Sequence, residues 1–266
     1  MQNIVTYFEQ IPSWQRALIL ICGITFFWMI EFIRPLFHFQ YNKLKHAGVN
    51  IFFTCTTVVI NFIFAFLLLQ SCDFVTSHHI GIVHQFALPL WSEVLITLLI
   101  LDLVGAYLIH FIQHKVKWMW RFHIVHHSDT HVDTTTANRH HPVESVFRAG
   151  FTILAIWISG AGIGVAMLYQ SISVVLSQFN HANIKLPIFI DKALSFVIVS
   201  PNMHKVHHHD VVPFTDSNYG NIFSLWDRLF GTFLKKRPSD IHYGVDVLKR
   251  SNDQNIMEQL KIPFKK

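Results

Sequence analysis

Histidines are the residues of this sequence whose number and spacing could do chemistry. The 266-residue chain holds 19 of them, five before position 110 and 14 from there on. His110 and His114 are four residues apart, and the pattern H-x-x-H-H occurs twice, at residues 123–127 and 204–208. On a helix, residues three or four positions apart lie about 5–6 Å from one another at their Cβ atoms. Each group can therefore aim its imidazoles at one point.

Imidazole is the commonest protein ligand for metals and suits iron, zinc and copper. A single i, i+4 pair can arise by chance, but three groups in one chain are not easily accidental. A tract that only sequesters metal would be contiguous and disordered. These groups are instead separated by apolar sequence, which predicts a built metal site.

The number of candidate ligands favours two metal ions. A structural zinc site uses four protein ligands, and a catalytic one uses three and a water molecule. The pattern H-E-x-x-H of zinc proteases does not occur in the sequence. Spacing alone does not separate iron from zinc. The ten candidate ligands are His110, His114, His123, His126, His127, His141, His181, His204, His207 and His208.

Ten imidazoles near a bilayer suit oxidation of an unactivated C–H bond. Side chains alone do not perform this reaction, which needs a redox-active metal and O₂. Zinc does not change its oxidation state, whereas two iron ions can share the electrons of O₂ cleavage. We therefore expect a di-iron site near the membrane surface, a lipid substrate, and electrons from a cytoplasmic donor.

Further polar residues near the histidine groups are expected to support the ligands. Asp102 precedes His110 by two helical turns, and either orients an imidazole or bonds to another helix. Asn183 can reach the metal site directly or through water. Glu31 and Glu93, near the ends of spans, are expected to extend towards the interface. The full set of candidate supporting residues is Asp102, Asn183, His131, His140 and His209. The histidines expected to be interfacial or simply hydrogen-bonded are His38, His46, His78, His79, His84 and His242.

The composition favours a membrane protein. Hydrophobic residues make up 52% of the chain and charged residues 14%, against about 25% charged in a typical soluble domain. The net charge is +5. The Lys and Arg residues lie beside apolar segments, as in proteins that face lipid headgroups, so we expect no nucleic-acid partner. The three cysteines predict no disulfide framework, and residues 1–15 do not resemble a cleaved signal peptide.

Three apolar stretches, at about 14–33, 49–69 and 90–111, are long enough to cross a bilayer. The apolar stretch 146–179 has histidine groups on both sides. A single helix of that length would separate them by about 50 Å. Glycines within 159–162 therefore predict a helical hairpin. Residues 188–199, between two prolines, predict an amphipathic interfacial helix.

The distribution of Lys and Arg predicts the orientation. Arg34, Lys43 and Lys45 follow the first span, whereas residues 47–113 contain no Lys or Arg. The positive-inside rule places residues 34–48 in the cytoplasm and 71–89 outside. The third span then returns the chain to the cytoplasm near His110.

With these groups in place, the sequence resembles the fatty acid hydroxylase / sterol desaturase superfamily over residues 95–235. The resemblance rests on the three histidine groups in order, each with its neighbouring residues. The matching segments are Asp102-x4-Tyr107-x2-His110-x3-His114, residues 120–128, Arg139-x-His141-Pro142-x-Glu144, His181-x-Asn183, Pro201-x2-His204-x2-His207-His208, residues 218–220 and residues 226–232.

The resemblance implies transmembrane helices under a cytosolic metal-binding cap, two iron ions, and O₂ as co-substrate. It also implies that the ten candidate histidines carry the metal. Some members have a fused cytochrome b5 domain, which this sequence lacks. We therefore expect a separate donor, of cytochrome b5 or ferredoxin type with its reductase. Family substrates include fatty acyl chains, sterols and ether lipids, and no motif selects between them or between hydroxylation and desaturation.

The expected fold is an all-α integral membrane protein with about three transmembrane helices, a helical hairpin and a cytosolic helical histidine-rich cap. It forms one membrane domain, 1–266, with N-terminal spans at 1–90, a catalytic region at 95–235 and a C-terminal tail at 236–266. The membrane would be a bacterial inner membrane, or the endoplasmic reticulum in a eukaryote. Two alternatives stay open, a zinc cap of structural or hydrolytic role and a metal transporter; the oligomeric state is not predicted.

Overall fold

The computed structural model of the protein describes residues 1–248 and 253–265. Within these residues the chain forms helices and loops with isolated β-bridges and no strand, which confirms the predicted all-α fold. The α-helices in chain order are α1 (Gln2–Glu9), α2 (Ser13–Ile33), α3 (Lys43–Ser77), α4 (Leu90–Asp102), α5 (Ile109–Lys115), α6 (Lys117–His127), α7 (Pro142–Ser159), α8 (Ile163–His181), α9 (Ile188–Val197), α10 (Pro201–His207), α11 (Leu225–Leu229) and α12 (Ile256–Lys261).

Four helical segments of the described chain are long and apolar enough to cross a membrane: Ser13–Ile33, Lys43–Gln85, Leu90–Lys115 and Pro142–Ser159. Their outer faces carry large exposed apolar side chains, such as Phe32 and Phe62. In water these would form an unfavourable surface, whereas lipid solvates them. The three predicted spans and the first arm of the predicted hairpin are confirmed as such segments.

The second span is longer than residues 49–69. Helix α3 has 35 residues, about 52 Å at 1.5 Å per residue, which exceeds the thickness of a bilayer core. The side chains of His46, Asn50 and Phe53 in its first turns are fully buried. Since Phe53 packs against α6, the first part of α3 belongs to the histidine-bearing end of the protein.

The third span contains a π-helical segment. Helix α4 runs to Asp102, residues Leu103–Leu108 form the π turn, and α5 continues to Lys115. Such segments are rare and occur often at functional sites. The wider turn changes the helical phase between Asp102 and His110, a feature that the apolar pattern did not indicate.

The predicted hairpin is formed by α7 and α8. Gly160 ends α7 with φ +83°, a left-handed conformation that glycine adopts without strain. Its carbonyl oxygen lies 3.0 Å from His84 Nε2, in the loop after α3. The reversal therefore lies at the end of the bundle opposite α5, and it brings Pro142 and His181 to the same end.

The histidine-bearing end is covered by short elements, which we call the cap: α6, α10, α11, α12 and their connecting loops. Helix α10 begins with Ser200, whose Oγ accepts from Met203 N, and with Pro201, a favourable pair at a helix start. Helix α9 forms between the two prolines as predicted, with Phe189 and Phe196 exposed. Its place at the membrane interface stays a prediction.

Candidate metal centre

Nine of the ten predicted ligands meet in two adjacent groups. Within each group the potential ligand atoms lie within 4.8 Å of one another. The first cluster is His110, His114, His123, His127 and His207. The second cluster is His126, His181, His204 and His208. The rings of His127 and His208 stack at 4.7 Å between centroids, so the clusters are in contact.

The two H-x-x-H-H motifs are divided between the clusters in opposite ways. His123 and His127 contribute to the first cluster, and His126 points into the second. In the other motif, His204 and His208 contribute to the second cluster and His207 to the first. Residues i and i+4 differ by about 40° around a helix, whereas i+3 lies on the other side of i. Facing α6 and α10 therefore build two sites instead of one.

Backbone carbonyl groups fix three of the rings. Nδ1 of His110 lies 2.8 Å from the oxygen of Tyr219, and Nδ1 of His207 lies 2.6 Å from that of Ser217. Nδ1 of His181 lies 2.7 Å from the oxygen of Ser177. A carbonyl oxygen only accepts, so each Nδ1 carries the hydrogen. The Nε2 atom of each ring is then left with a lone pair.

These lone pairs face one another. Nε2 of His110 lies 3.1 Å from Nε2 of His123, whose Nδ1 lies 2.8 Å from the carboxylate of Glu144. Nε2 of His181 lies 3.1 Å from Nε2 of His126 and 3.0 Å from Nε2 of His204. With Nδ1 protonated on His110 and His123, their contact is not a hydrogen bond. A cation held between the rings is the arrangement that makes it favourable.

The spacing also fits a metal ion. Two nitrogens bound to one metal at about 2.1 Å lie about 3.0 Å apart at a right angle and about 3.4 Å apart at the tetrahedral angle. The 3.0–3.1 Å separations are short enough for one metal ion to bind both nitrogens of each pair. Several buried ring nitrogens have no hydrogen-bond partner within the described residues, among them Nε2 of His114 and His207 and both nitrogens of His127 and His208.

Burial keeps the cap imidazoles neutral, as metal ligands must be. It lowers the pKa of His126, His127, His204, His207 and His208 well below the ordinary value, and neighbouring imidazoles lower it further. Burial also lowers the pKa of His123, although Glu144 opposes this change. A cluster of this kind would not hold several imidazolium charges, so a metal is the cation that fits it.

His141 does not join either cluster, contrary to the prediction. Its Nδ1 accepts from Val143 N at 3.2 Å, which caps α7, and its ring contacts Phe122 and Phe264. The residue before a proline is held in an extended conformation, here φ −60° and ψ 140°. This backbone directs the side chain towards the helix start, away from the neighbouring imidazoles.

His140 lies next to the clusters instead, in agreement with a supporting role. Its ring stacks on His126 at 4.9 Å, and its Nδ1 lies 2.9 Å from Oε1 of Glu144. Glu144 is fully buried and was not among the candidate residues. An acidic residue at the start of an apolar helix is a signal of function that could have identified it.

Asp102 binds a cap segment and does not contact the ligand rings. Its carboxylate accepts from Ile222 N, Phe223 N and Trp226 Nε1 at 2.9–3.2 Å, and bonds to no imidazole of the described residues. Of the two roles considered for Asp102, its contacts in the described chain do not include the orientation of a ligand ring. The alternative, a bond to another helix, holds through Trp226 of α11.

Asn183 and Glu31 join the loop after α2 to the cap. Asn183 Oδ1 accepts from Phe37 N at 3.0 Å, and its Nδ2 donates to Phe37 O at 2.8 Å. Glu31 is buried and accepts from the backbone N–H groups of Thr134 and Asn183 at 2.7 and 2.8 Å. Asn183 therefore does not reach the clusters, and Glu31 does not extend to the interface.

The remaining candidates also lie outside the clusters. The His131 ring stacks on Tyr41 at 4.4 Å. Nδ1 of His209 lies 3.2 Å from His242 N. His46 is hydrogen-bonded to Asp129 at 2.8 Å, as expected of an isolated histidine.

A sequence model of the fatty acid hydroxylase family matches residues 94–232 of the chain. The chain belongs to this family. The matched range contains all nine clustered histidines and Glu144.

Several relatives of the chain have names that describe proteins acting on lipids. An ornithine lipid hydroxylase of Rhizobium tropici is 27% identical over 158 residues, 59% of this chain and 46% of the relative. Human alkylglycerol monooxygenase is 28% identical over 167 residues, 60% of this chain and 34% of the relative. A cholesterol 25-hydroxylase-like protein of Danio rerio is 29% identical over 124 residues, 46% of this chain and 48% of the relative. The matches span less than half of each relative, and no solved structure matches the chain.

Proposed function

We propose that the protein is a membrane oxygenase that uses O₂ and two iron ions to hydroxylate a C–H bond of a lipid. The observation that carries this proposal is the pair of all-imidazole clusters in contact, with Nε2 atoms 3.0–3.1 Å apart. Lipid hydroxylases and monooxygenases among the relatives favour hydroxylation over desaturation.

The first cluster would hold one iron ion and the second cluster the other. Iron bound there supplies the redox chemistry with O₂ that amino-acid side chains lack. The chain itself orients the rings through the carbonyl groups of Ser177, Ser217 and Tyr219. It also excludes water, since the ligand rings are almost fully buried.

The substrate would be a lipid of the leaflet on the histidine-bearing side. His110 and His114 lie in the last turns of a segment that can cross the membrane, a position that would let an apolar chain approach them from the bilayer. Ornithine lipids, alkylglycerols and cholesterol, named for the relatives, all join a polar group to an apolar body. The substrate class we propose is such an amphiphile.

The reaction needs a source of electrons on the cap side. Inserting one oxygen atom of O₂ into a C–H bond leaves the other to become water, which consumes two electrons and two protons. We propose a separate cytochrome b5- or ferredoxin-type donor with its reductase, docking in the cytoplasm. The basic loops at 34–48 and after His114 support the cytoplasmic side.

Two alternatives are less well supported. A zinc cap of structural or hydrolytic role would use three or four ligands, whereas nine imidazoles converge in this protein. A transporter would place its binding site near the middle of the membrane, whereas these clusters lie at the end of α5 and in the cap.

The first experiment is to reconstitute detergent-purified protein with ferrous iron without air and to measure bound metal by mass spectrometry and Mössbauer spectroscopy. We expect two irons per chain and a spectrum that changes on exposure to O₂. Incubation with lipid extract, a reductant and ¹⁸O₂ should then yield a lipid carrying ¹⁸O. A single tightly held zinc that iron does not displace would overturn the proposal.

A further inference from the structure

One short segment binds three of the five rings of the first cluster. Asp216 Oδ1 lies 3.3 Å from Nδ1 of His114. The carbonyl oxygens of Ser217 and Tyr219 accept from the Nδ1 groups of His207 and His110. We call residues 216–219 the strap. Its three contacts reach rings from two different helices, α5 and α10.

The strap is itself held by buried side chains. The carboxylate of Asp227 accepts from Tyr219 N at 2.7 Å and from Gly220 N at 2.9 Å. Asn218 has a φ of +52°, which asparagine tolerates better than most residues. Its side chain bonds to the backbone of Met203 and Leu234 at 2.9 Å.

The second cluster has no comparable support. His181 is oriented by Ser177 of its own helix. The Nδ1 atoms of His126 and His204, and both ring nitrogens of His208, have no hydrogen-bond partner in the described chain. The two clusters therefore differ in how firmly their rings are oriented before metal binds.

We infer that the strap positions ligands of the first cluster but not of the second, and that Asp227, which holds the strap, is a positioning residue for the metal ion of the first cluster. This inference rests on the proposed two-metal centre. Partners that orient ligand imidazoles typically contribute about 10- to 100-fold to metal affinity. Loss of the Asp227 bonds should therefore weaken metal binding in the first cluster and leave the second unchanged.

Two substitutions disturb the strap from different directions. In Asp227→Asn, an amide replaces one of the two acceptor oxygens that face N–H groups. In Gly220→Ala, the added methyl group would lie 2.9 Å from Asp227 Oδ2, Phe223 O and Val199 Cγ2, so the strap must shift. The matched controls are Asp240→Asn, at a largely exposed ion pair, and Gly150→Ala, where the methyl group meets open space.

The experiment places each change in two backgrounds that keep one cluster each. His204→Ala with His208→Ala leaves the first cluster, and His110→Ala with His207→Ala leaves the second. Metal affinity is measured by anaerobic titration with ferrous iron, and folding by the thermal midpoint of the metal-free protein. We expect Asp227→Asn and Gly220→Ala to weaken binding about 10- to 100-fold in the first background and to have no effect in the second.

The outcomes separate the inference from the function on which it rests. Equal weakening in both backgrounds, or none in either, would overturn the role of the strap. If either Asp227→Asn or Gly220→Ala lowers the thermal midpoint of the metal-free protein, the metal affinity of the other variant decides whether the strap has this role. Absence of a second metal ion in the unsubstituted protein would instead overturn the proposed di-iron function.

Discussion

Oε1 of Glu144 lies 2.8 Å from Nδ1 of His123 and 2.9 Å from Nδ1 of His140. His123 is part of the first cluster, and His140 stacks on His126 of the second. One buried carboxylate at the start of the hairpin therefore lies against a ring of the first cluster and beside the ring that packs on the second.

Replacing Glu144 by Gln should weaken the first metal site, because its carboxylate lies against Nδ1 of the ligand His123. The amide still offers one acceptor oxygen, but it has no charge and brings an N–H₂ group to face the ring N–H donors. We expect metal affinity to fall by about 10- to 100-fold, measured as bound iron per chain after dialysis. The control is Glu9→Gln, at an exposed position in α1. Full metal content in the Glu144 variant would refute its supporting role.

Substitution of single histidines tests the ligand assignment, including the exclusion of His141. We expect His207→Ala to reduce metal in the first cluster and His126→Ala in the second, and both to abolish lipid oxidation. His141→Ala should keep both metals and activity, because its ring lies outside both clusters, where it caps α7 and contacts Phe122 and Phe264. The exposed His79 serves as the control. Equal effects of all four substitutions would contradict the assignment.

The elements of the fold could largely be predicted because lipid imposes length and continuity on apolar segments. The reversal at Gly160 was predictable because both sides of the stretch carry histidines that had to meet. The π turn after Asp102 and the extension of the start of α3 to the cap could not be predicted. Both depend on how the cap packs against the helices, which no local pattern expresses.

The nine clustered histidines could be identified by their spacing, but their orientation could not. His140 and His141 are adjacent in sequence, and only the backbone before Pro142 decides which ring faces the clusters. The carbonyl groups of Ser217 and Tyr219 have no signature, since every residue has a carbonyl oxygen. Residues 218–220 were part of the family resemblance, but their role became clear only from their contacts.

The cap should depend for its stability on Arg139, which is fully buried. Its guanidinium donates to the backbone of Val125 and Asp253 and to the side chain of Asn50, and lies 3.8 Å from Asp129. Breaking a buried charge network typically costs about 3–5 kcal/mol. We expect Arg139→Met to lower the thermal midpoint of the metal-free protein markedly. Arg237→Met, which breaks the exposed pair with Asp240, should change it little, and similar shifts would contradict this interpretation.

The orientation in the membrane can be tested by labelling. Gln85 ends the short helical turn at 82–85, at the end of the bundle opposite the clusters, and Lys236 lies in the cap. After replacement of the natural cysteines, Gln85→Cys should react with an impermeant maleimide in intact cells, because its loop lacks the basic residues that are retained inside. Lys236→Cys should react only after permeabilisation, which also controls for its accessibility. Labelling in the reverse pattern would place the metal centre outside the cell, where a cytoplasmic electron donor does not reach it.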